Sequence, residues 1–263
     1  MFVGNGNQNQ VSDVVVATGL LLSRGGRIVV EACDLAIGAG VTSLVGPNGS
    51  GKSTLLHAIA GLLPPTAGTV LVFGEPPADV RRRIAYVLQA QHTPAHLPVT
   101  VREVVALGRA PVRGAVGRLR AADRDAVRDA IDRVDLGPFA GRHMSELSGG
   151  QRQRAFVAQG LAQEADLLLL DEPTAGLDVV STEQIRQVLA DERAAGRAAV
   201  VATHDLGEAA RGDHVVLLAG KVVAAGPPAD ALARRHLQDA YRGRLLDVGG
   251  DAVLVDDDAH HHD

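Results

Sequence analysis

The chain has little cysteine, no long apolar run and no secretory signal pattern, and each absence excludes some classes of protein. Its 263 residues include one cysteine, Cys33, so no intramolecular disulfide can form and a reducing compartment is expected. No apolar run approaches the ~18 residues that span a bilayer. The polar stretch at residues 1–13 does not have the pattern of a secretory signal. Any membrane role is therefore expected to come from a partner chain.

The chain also lacks a large excess of charge of either sign. The net charge is -5 and the isoelectric point is near 6.0, without a long basic run, so we expect no nucleic acid partner. Lysine is nearly absent, and Lys52 and Lys221 are the only two. A hydrophobic content of 46% over this length predicts one large core with room for a smaller attached lobe.

The first half of the chain predicts strands, then helices. Residues 1–12, rich in Asn, Gln and Gly, predict a disordered lead-in. β-Branched runs between Val14 and Val45 predict a small antiparallel sheet leading into a core strand. A helix is predicted over Lys52–Leu62, and residues 98–163 are Arg/Ala/Asp-rich and amphipathic. We call residues 98–163 the helical lobe and expect it to be inserted between two parts of the core.

The second half of the sequence predicts buried parallel strands, each followed directly by polar residues. Leu167–Leu170 runs directly into Asp171 and Glu172, and Ala198–Thr203 into His204. Ligands of open α/β sheets collect at the carboxyl ends of strands, so these groups are expected to converge.

A hairpin over residues 214–226 and a helix near 229–241 complete a unit predicted to span residues 13–245. Residues 246–263 are predicted to be a C-terminal tail.

A glycine-rich loop lies between the predicted strand ending at Val45 and the following helix. It consists of Gly46, Pro47, Asn48, Gly49, Ser50, Gly51, Lys52, Ser53 and Thr54. Glycines let backbone N–H groups approach a triphosphate closely, Lys52 would reach the β- and γ-phosphates, and Ser53 would bind Mg²⁺. The other interpretation is a strand-to-helix turn with an incidental lysine.

A second motif, Leu147–Gln151 (LSGGQ), follows on the same chain. With the loop, it makes residues 13–226 resemble the ATPase subunits of ATP-binding-cassette (ABC) transporters. The resemblance implies an α/β fold: a P-loop (RecA-like) core, a small antiparallel β subdomain and an inserted α-helical subdomain. It also implies a homodimer that buries two ATP molecules, in which the signature contacts the ATP of the opposite subunit. The signature residues are Ser148, Gly149, Gly150 and Gln151.

The resemblance also assigns roles to polar residues in the matched motifs. Asp171 would help position Mg²⁺ and Glu172 would polarise the attacking water, whereas a helix-capping pair is the alternative. Gln89 would touch Mg²⁺ and relay the nucleotide state to the membrane partner. However, Leu88 stands where the family often has proline, and a lone glutamine is commonly a surface amide.

Three further residues are assigned in the same way. His204 would contact the γ-phosphate, or else be a structural histidine. Asp178 would join the subunits as part of the D-loop, or else simply cap a helix. Arg24 stands where the family usually stacks an aromatic residue on adenine, and its guanidinium plane could stack instead.

We therefore expect an importer ATPase on the cytoplasmic face of the membrane, paired with a membrane permease and indirectly with an extracytoplasmic substrate-binding protein. A soluble cassette acting on DNA or ribosomes is the alternative, but such proteins usually carry two cassettes or a long coiled coil. Both manganese/zinc importers and siderophore, haem or cobalamin importers fit. Residues 171–178, 226–232 and 236–243 resemble the metal-ion group more closely, and His260–His262 is either a metal ligand or a solvated tail.

A permease-docking patch is predicted between Gln89 and Arg109. The segment has more apolar residues than one helix face needs: Leu97, Val99, Val101, Val104, Val105 and Leu107. Some of them should remain partly exposed.

Overall fold

The computed structural model describes residues 13–88, 98–114, 118–241, 245–247 and 253–255. It contains a small antiparallel sheet and a larger, mostly parallel sheet. A group of helices follows one strand of the larger sheet along the chain and precedes the next strand. The predicted α/β fold class is confirmed.

The antiparallel sheet is built from the β-branched runs near the start of the described chain. Its strands, in the order β2-β1-β4, are β1 (Val15–Arg24), β2 (Arg27–Ile37) and β4 (Ala67–Val72). Gly25 and Gly26 have φ values of 58° and 78°, which favour glycine, and they reverse the chain so that Arg24 pairs with Arg27.

The larger sheet contains the strands that were predicted to be buried on both faces. Its order is β5-β6-β7-β3-β8-β9, with β9 antiparallel to β8 and the others parallel. The strands are β3 (Gly40–Val45), β5 (Ile84–Val87), β6 (Leu167–Asp171), β7 (Ala198–Thr203), β8 (His214–Leu218) and β9 (Val222–Gly226). The predicted hairpin over residues 214–226 is therefore confirmed.

Side chains of β6 show why a continuous apolar run was needed. Leu167 and Leu169 pack in one apolar cluster with the antiparallel sheet, and Leu168 and Leu170 pack in another with helices. All four are buried, so both faces of the sheet are covered. Polar side chains of this strand can reach solvent only at its end.

The helices within the described ranges are α1 (Lys52–Ile59), α2 (Val101–Leu107), α3 (Ala110–Arg113), α4 (Ala121–Arg133), α5 (Gly149–Ala162), α6 (Val179–Ala194), α7 (Leu206–Ala209), α8 (Pro228–Ala231) and α9 (Arg234–Tyr241). Helices α2 to α5 lie in the helical lobe. The predicted extent of α1 was wrong, because Gly61 adopts a φ of 69° after the helix ends and Leu62 is exposed. The single helix predicted near residues 229–241 is two, α8 and α9.

The C-terminal region adds a feature that the sequence did not predict. Strands β10 (Leu245–Asp247) and β11 (Val253–Val255) pair antiparallel, and β10 crosses the predicted boundary between the unit and its tail at residues 245 and 246. The predicted lead-in, Gln89 and His260–His262 lie outside the described residues. Among the described helices, none combines the length and the apolar character that crossing a bilayer requires.

Candidate functional site

The glycine-rich loop connects the end of β3 to the start of α1, as predicted. Gly49 and Gly51 have φ values of 76° and 102°, conformations that side chains with a Cβ rarely adopt. Gly46 has no room for a Cβ, which would lie 1.9 Å from the carbonyl oxygen of Leu218. The loop therefore depends on glycine at each of these positions.

Hydrogen-bond donors gather around this loop. Unlike α5 and α6, α1 has no side-chain cap at its N-terminus. Lys52 is buried, and its Nζ donates to the carbonyls of Gly46 (2.8 Å) and Pro47 (3.2 Å). The hydroxyl of Ser50 is buried and has no hydrogen-bond partner among the described residues. This donor set fits the phosphate oxygens of a nucleotide.

The other loop residues differ in exposure. Ser53 is half-buried in the first turn of α1, Thr54 is buried, and Asn48 is exposed at the rim. Ser53 thus retains access to the space beside the loop, as a ligand of a nucleotide-bound metal requires.

Strand-end polar groups converge next to the loop. Glu172 lies between two of them: its Oε1 is 4.0 Å from Lys52 Nζ, and its Oε2 is 3.4 Å from His204 Nδ1, a long contact without hydrogen-bond geometry. Asp171, the last residue of β6, precedes it. The predicted convergence of these groups is therefore observed.

The backbone of Glu172 is strained. Its φ is 46°, in the left-handed region that non-glycine residues rarely adopt and that costs about 1–3 kcal/mol. Its N–H donates to the carbonyl of Ala202 in β7 at 3.0 Å, which ties the residue to the neighbouring strand. The carboxylate is thereby held beside Lys52 and His204.

Tyr86 of β5 is a site residue that sequence reasoning missed. Its hydroxyl donates to Asp171 Oδ2 at 3.3 Å, and its ring meets that of His57 edge-on. Burial, the charge of Asp171 and this hydrogen bond raise the pKa of Tyr86, which keeps the phenol protonated. The two residues are 85 positions apart in sequence, so no local pattern could have paired them.

Arg24 lies at the exposed end of β1. The pKa of His57 is lowered by burial and then by the positive charge of Arg24, and the same charge opposes the rise in the pKa of Tyr86. Arg24 therefore acts electrostatically on the region beside α1. Its stacking on adenine stays a prediction.

The signature segment begins α5 as a reciprocal cap. The hydroxyl of Ser148 accepts from the N–H of Gln151 (3.2 Å), and Gln151 Oε1 accepts from the N–H of Ser148 (3.0 Å). Gly149 is exposed and Gly150 is buried. The S-x-x-Q spacing of a capping box was visible in the sequence but was not used.

Gly150 packs directly against the start of α6 in the same chain. A Cβ on this glycine would lie 2.2 Å from Ser181 Oγ and 2.6 Å from Asp178 Oδ2. Asp178 caps α6 by accepting from the N–H and hydroxyl of Ser181, and these bonds lower its pKa. Val179 and Val180 beside it are 82% and 65% exposed. The cap interpretation is therefore observed, and an additional role between subunits stays a prediction.

The predicted docking segment is described from residue 98 onward, and Gln89 and Leu97 lie outside the described residues. Leu107 is 59% exposed and Val99 is half-buried. The remaining apolar residues of the set are buried: Val101, Val104 and Val105. Some of the predicted residues therefore remain accessible, chiefly Leu107, and their role in docking stays a prediction.

A strand, a glycine-rich loop and a helix that begins with a buried lysine, flanked by strand-end carboxylates, define a P-loop nucleotide-binding protein. Residues 32–175, more than half of the chain, match the family model described as ABC transporter, and the chain belongs to this family. It is an ATP-binding subunit that hydrolyses ATP.

Individual relatives agree with this membership. The chain is 42% identical over 214 residues to a zinc transport system ATP-binding protein of Treponema pallidum (81% of this chain, 80% of the relative). It is also 42% identical over 238 residues to a hemin import ATP-binding protein of Streptomyces coelicolor (87% and 83%). A solved ATP-binding cassette of an ABC transporter, in its ADP conformation, shares the fold with a TM-score of 0.75 at 22% identity (88% and 99%).

Proposed function

We propose that the chain powers an importer of divalent metal ions of the manganese/zinc type, working from the cytoplasmic face of the membrane through a separate permease. The observation that carries the catalytic part is the position of Glu172 between Lys52 and His204, at 4.0 and 3.4 Å. A carboxylate at this place can accept a proton from water while the lysine and histidine stabilise charge on the phosphate.

The residues around the loop divide the work of binding ATP. The backbone amides of residues 46–54 and the ammonium of Lys52 hold the phosphates, and Arg24 lies over the base. Glu172 orients and deprotonates the attacking water. His204 contacts the γ-phosphate from the other side of Glu172. The convergence of Lys52, Glu172 and His204 at the ends of the strands supports the roles proposed for these three residues.

Ser53 and Asp171 provide hard oxygen ligands of the kind that Mg²⁺ prefers, and Gln89 joins them by resemblance. When bound, Mg²⁺ neutralises phosphate charge. Tyr86 donates to Oδ2 of Asp171, so Oδ1 would be the oxygen left to bind the metal.

Two copies of the chain would assemble head to tail around ATP. Ser148, Gly149, Gly150 and Gln151 begin an N-terminally capped helix, and the signature of each copy would meet the ATP held by its partner. The exposed Val179 and Val180 next to Asp178 support a contact surface there. ATP would join the subunits and hydrolysis would release them.

The permease is proposed to dock on the segment from Gln89 to Arg109. The exposure of Leu107 supports this, because a large apolar side chain that is 59% exposed at the end of α2 is available to pack against a partner. A Leu107→Arg variant should lose association with the permease. The matched control is Leu62→Arg, since Leu62 is 62% exposed but lies outside the segment. Equal loss in both variants would contradict the docking site.

Relatives support both proposed substrates. The zinc relative favours the metal-ion group, as do the sequence resemblances in residues 171–178, 226–232 and 236–243. The hemin relative, equally identical, keeps an iron-chelate importer as the second candidate.

The test is ATPase activity of the complex reconstituted with its permease and a binding protein loaded with Mn²⁺, Zn²⁺, hemin or a ferric siderophore. Stimulation by Mn²⁺- or Zn²⁺-loaded protein is expected, and a complex containing Glu172→Gln controls for contaminating ATPases. Stimulation by hemin or siderophore alone would overturn the metal-ion assignment while keeping the importer. Activity on DNA or ribosomes without a permease would favour the soluble alternative.

A further inference from the structure

The hydrogen bond between Tyr86 and Asp171 joins two neighbouring strands at the edge of the site. Tyr86 pairs with Leu169 in the parallel register of β5 and β6, so its side chain reaches two residues further along β6 to the carboxylate. The separation from the hydroxyl oxygen to Oδ2 is 3.3 Å. An ionised carboxylate can only accept, so the phenol is the donor.

The position of the phenol is fixed from two sides. The ring is half-buried and packs against the first apolar cluster. On α1, His57 meets it edge-on, with ring centroids 5.4 Å apart and an interplanar angle of 73°. Because α1 begins at the phosphate loop, the hydroxyl that holds Asp171 is set by the same helix that would hold the nucleotide.

We propose that Tyr86 is a positioning residue that orients Asp171 for the metal ion accompanying ATP. By engaging Oδ2, the phenol would restrict rotation of the carboxylate, so that Oδ1 would remain available as the metal ligand. The inference rests on the assignment of Asp171 to Mg²⁺ in the proposed function. Tyr86 itself touches neither the nucleotide nor the metal in this role.

Tyr86→Phe tests the idea because it keeps the ring and removes only the donor. Binding of a fluorescent non-hydrolysable ATP analogue is titrated with MgCl₂ and, separately, in EDTA. The Mg²⁺ concentration for half-maximal binding should rise about tenfold, the lower end of what removing a group that orients a metal ligand typically costs. Binding in EDTA should stay within about twofold of wild type, because the phosphate loop is untouched.

Tyr241, the only other tyrosine, supplies the matched control. It is buried in a different apolar cluster near the C-terminus, and Tyr241→Phe should leave the Mg²⁺ dependence unchanged. Mn²⁺ binding followed by electron paramagnetic resonance in the presence of the analogue gives an independent reading of the metal site. Mn²⁺ binding should weaken in Tyr86→Phe and stay unchanged in Tyr241→Phe.

Asp171→Asn separates failure of this inference from failure of the proposed function. If Asp171→Asn leaves the Mg²⁺ dependence unchanged, the metal role of Asp171 is wrong. If it shifts and Tyr86→Phe does not, or if Tyr86→Phe weakens binding equally in EDTA, only the tyrosine inference is overturned. In the double variant, Tyr86→Phe should add no further shift of the Mg²⁺ dependence to that of Asp171→Asn.

A second variant tests the inference if Tyr86→Phe does not fold. His57→Leu removes the ring that packs against Tyr86, and it should shift the Mg²⁺ dependence in the same direction. No shift would overturn the inference.

Discussion

The larger sheet and the helical lobe are stabilised by different kinds of contact. Inside the sheet, β6 and β7 bury only aliphatic and small side chains, and charged groups appear where the strands end. The helical lobe instead buries an ionic network. Arg109 is 6% exposed and Asp123 is fully buried, and they are 3.0 Å apart.

This network ties α3, α4 and α5 of the helical lobe together. Arg109, which lies between α2 and α3, also donates to the carbonyl of Ala162 at the end of α5 and to Glu164. Asp123 in the first turn of α4 additionally accepts from Arg113, the last residue of α3. Such pairs contribute little net stability but are costly to break, because one charge is then left buried.

A second ionic contact joins the helical lobe to the sheet region. Glu192 of α6 is 3% exposed. Its Oε1 accepts from Arg133 Nη2 of α4 at 2.7 Å, and its Oε2 accepts from Arg197 Nε at 2.5 Å. The comparison indicates that carboxylates at the strand ends serve chemistry, whereas carboxylates of the lobe and its boundary hold helices in register. The predictions below test this division.

The largest expected effect is on catalysis. Glu172→Gln should lower steady-state ATP hydrolysis at least about 100-fold, equivalent to ~2.7 kcal/mol in the barrier, because an amide cannot accept the proton. ATP binding and the thermal unfolding midpoint should remain near wild type, and an ATP-bound dimer should accumulate in size-exclusion chromatography. Turnover within about tenfold of wild type would refute the assigned role.

Glu192→Ala should show the opposite pattern. Removing the carboxylate leaves Arg133 and Arg197 without their shared partner, so the free energy of unfolding should fall by about 2 kcal/mol, less than for a fully buried pair because both arginines are partly exposed. Urea unfolding measures this, with Glu183→Ala on the exposed face of α6 as the control. A loss no larger than the control's would contradict the boundary role.

The network around Asp123 should titrate at low pH. Hydrogen bonds from Arg120, Arg113 and Arg109 lower the pKa of Asp123 from 3.8 to about 2. A depressed folded-state pKa gives stability that is complete above the unfolded value and is lost as pH falls toward the folded one. The stability difference between wild type and Asp123→Asn should therefore be nearly constant above about pH 5 and shrink as the pH falls from about 5 toward 2.

Thermal unfolding midpoints measured from pH 6 to pH 2 check the titration of Asp123. Asp129→Asn, on the exposed side of the same helix, is the control and should follow wild type throughout. A gap between wild type and Asp123→Asn that stays constant down to pH 2 would show that the network is not ionic in origin.

The smallest effect is expected at Arg24. Replacing it with Ala should weaken ATP binding about threefold, in line with exposed cation–π contacts, and Tyr should preserve or tighten it. Isothermal titration with ATP and GTP measures both. If Ala and wild type bind ATP equally and discriminate GTP equally, the stacking hypothesis fails.

Sequence patterns predicted what short-range physics determines. The strands of the larger sheet followed from continuous apolar runs, and the phosphate loop from glycines and a lysine placed between a strand and a helix. The end of α1 was misplaced because Leu62 continued the helical spacing, although Gly61 already permitted the chain to leave the helix. The hairpin of β10 and β11 was missed because its strands are only three residues long.

Long-range contacts could not be predicted in the same way. Tyr86 and Asp171 meet across two strands, and the Glu192 contacts depend on how the helical lobe sits against α6. Gly150 was recognised as a motif residue, but its packing against Ser181 depends on the meeting of two helices far apart in the chain. Such contacts follow from the assembled fold and have no periodicity.

The left-handed backbone of Glu172 has a consequence for protein engineering. Asparagine or glycine would adopt this conformation at lower cost, so a redesign guided by thermal stability would favour either one at position 172. Either replacement would remove the carboxylate beside Lys52 and His204. A library selected for heat resistance alone should therefore yield sturdier proteins that are inactive, and residue 172 should be held fixed in any such selection.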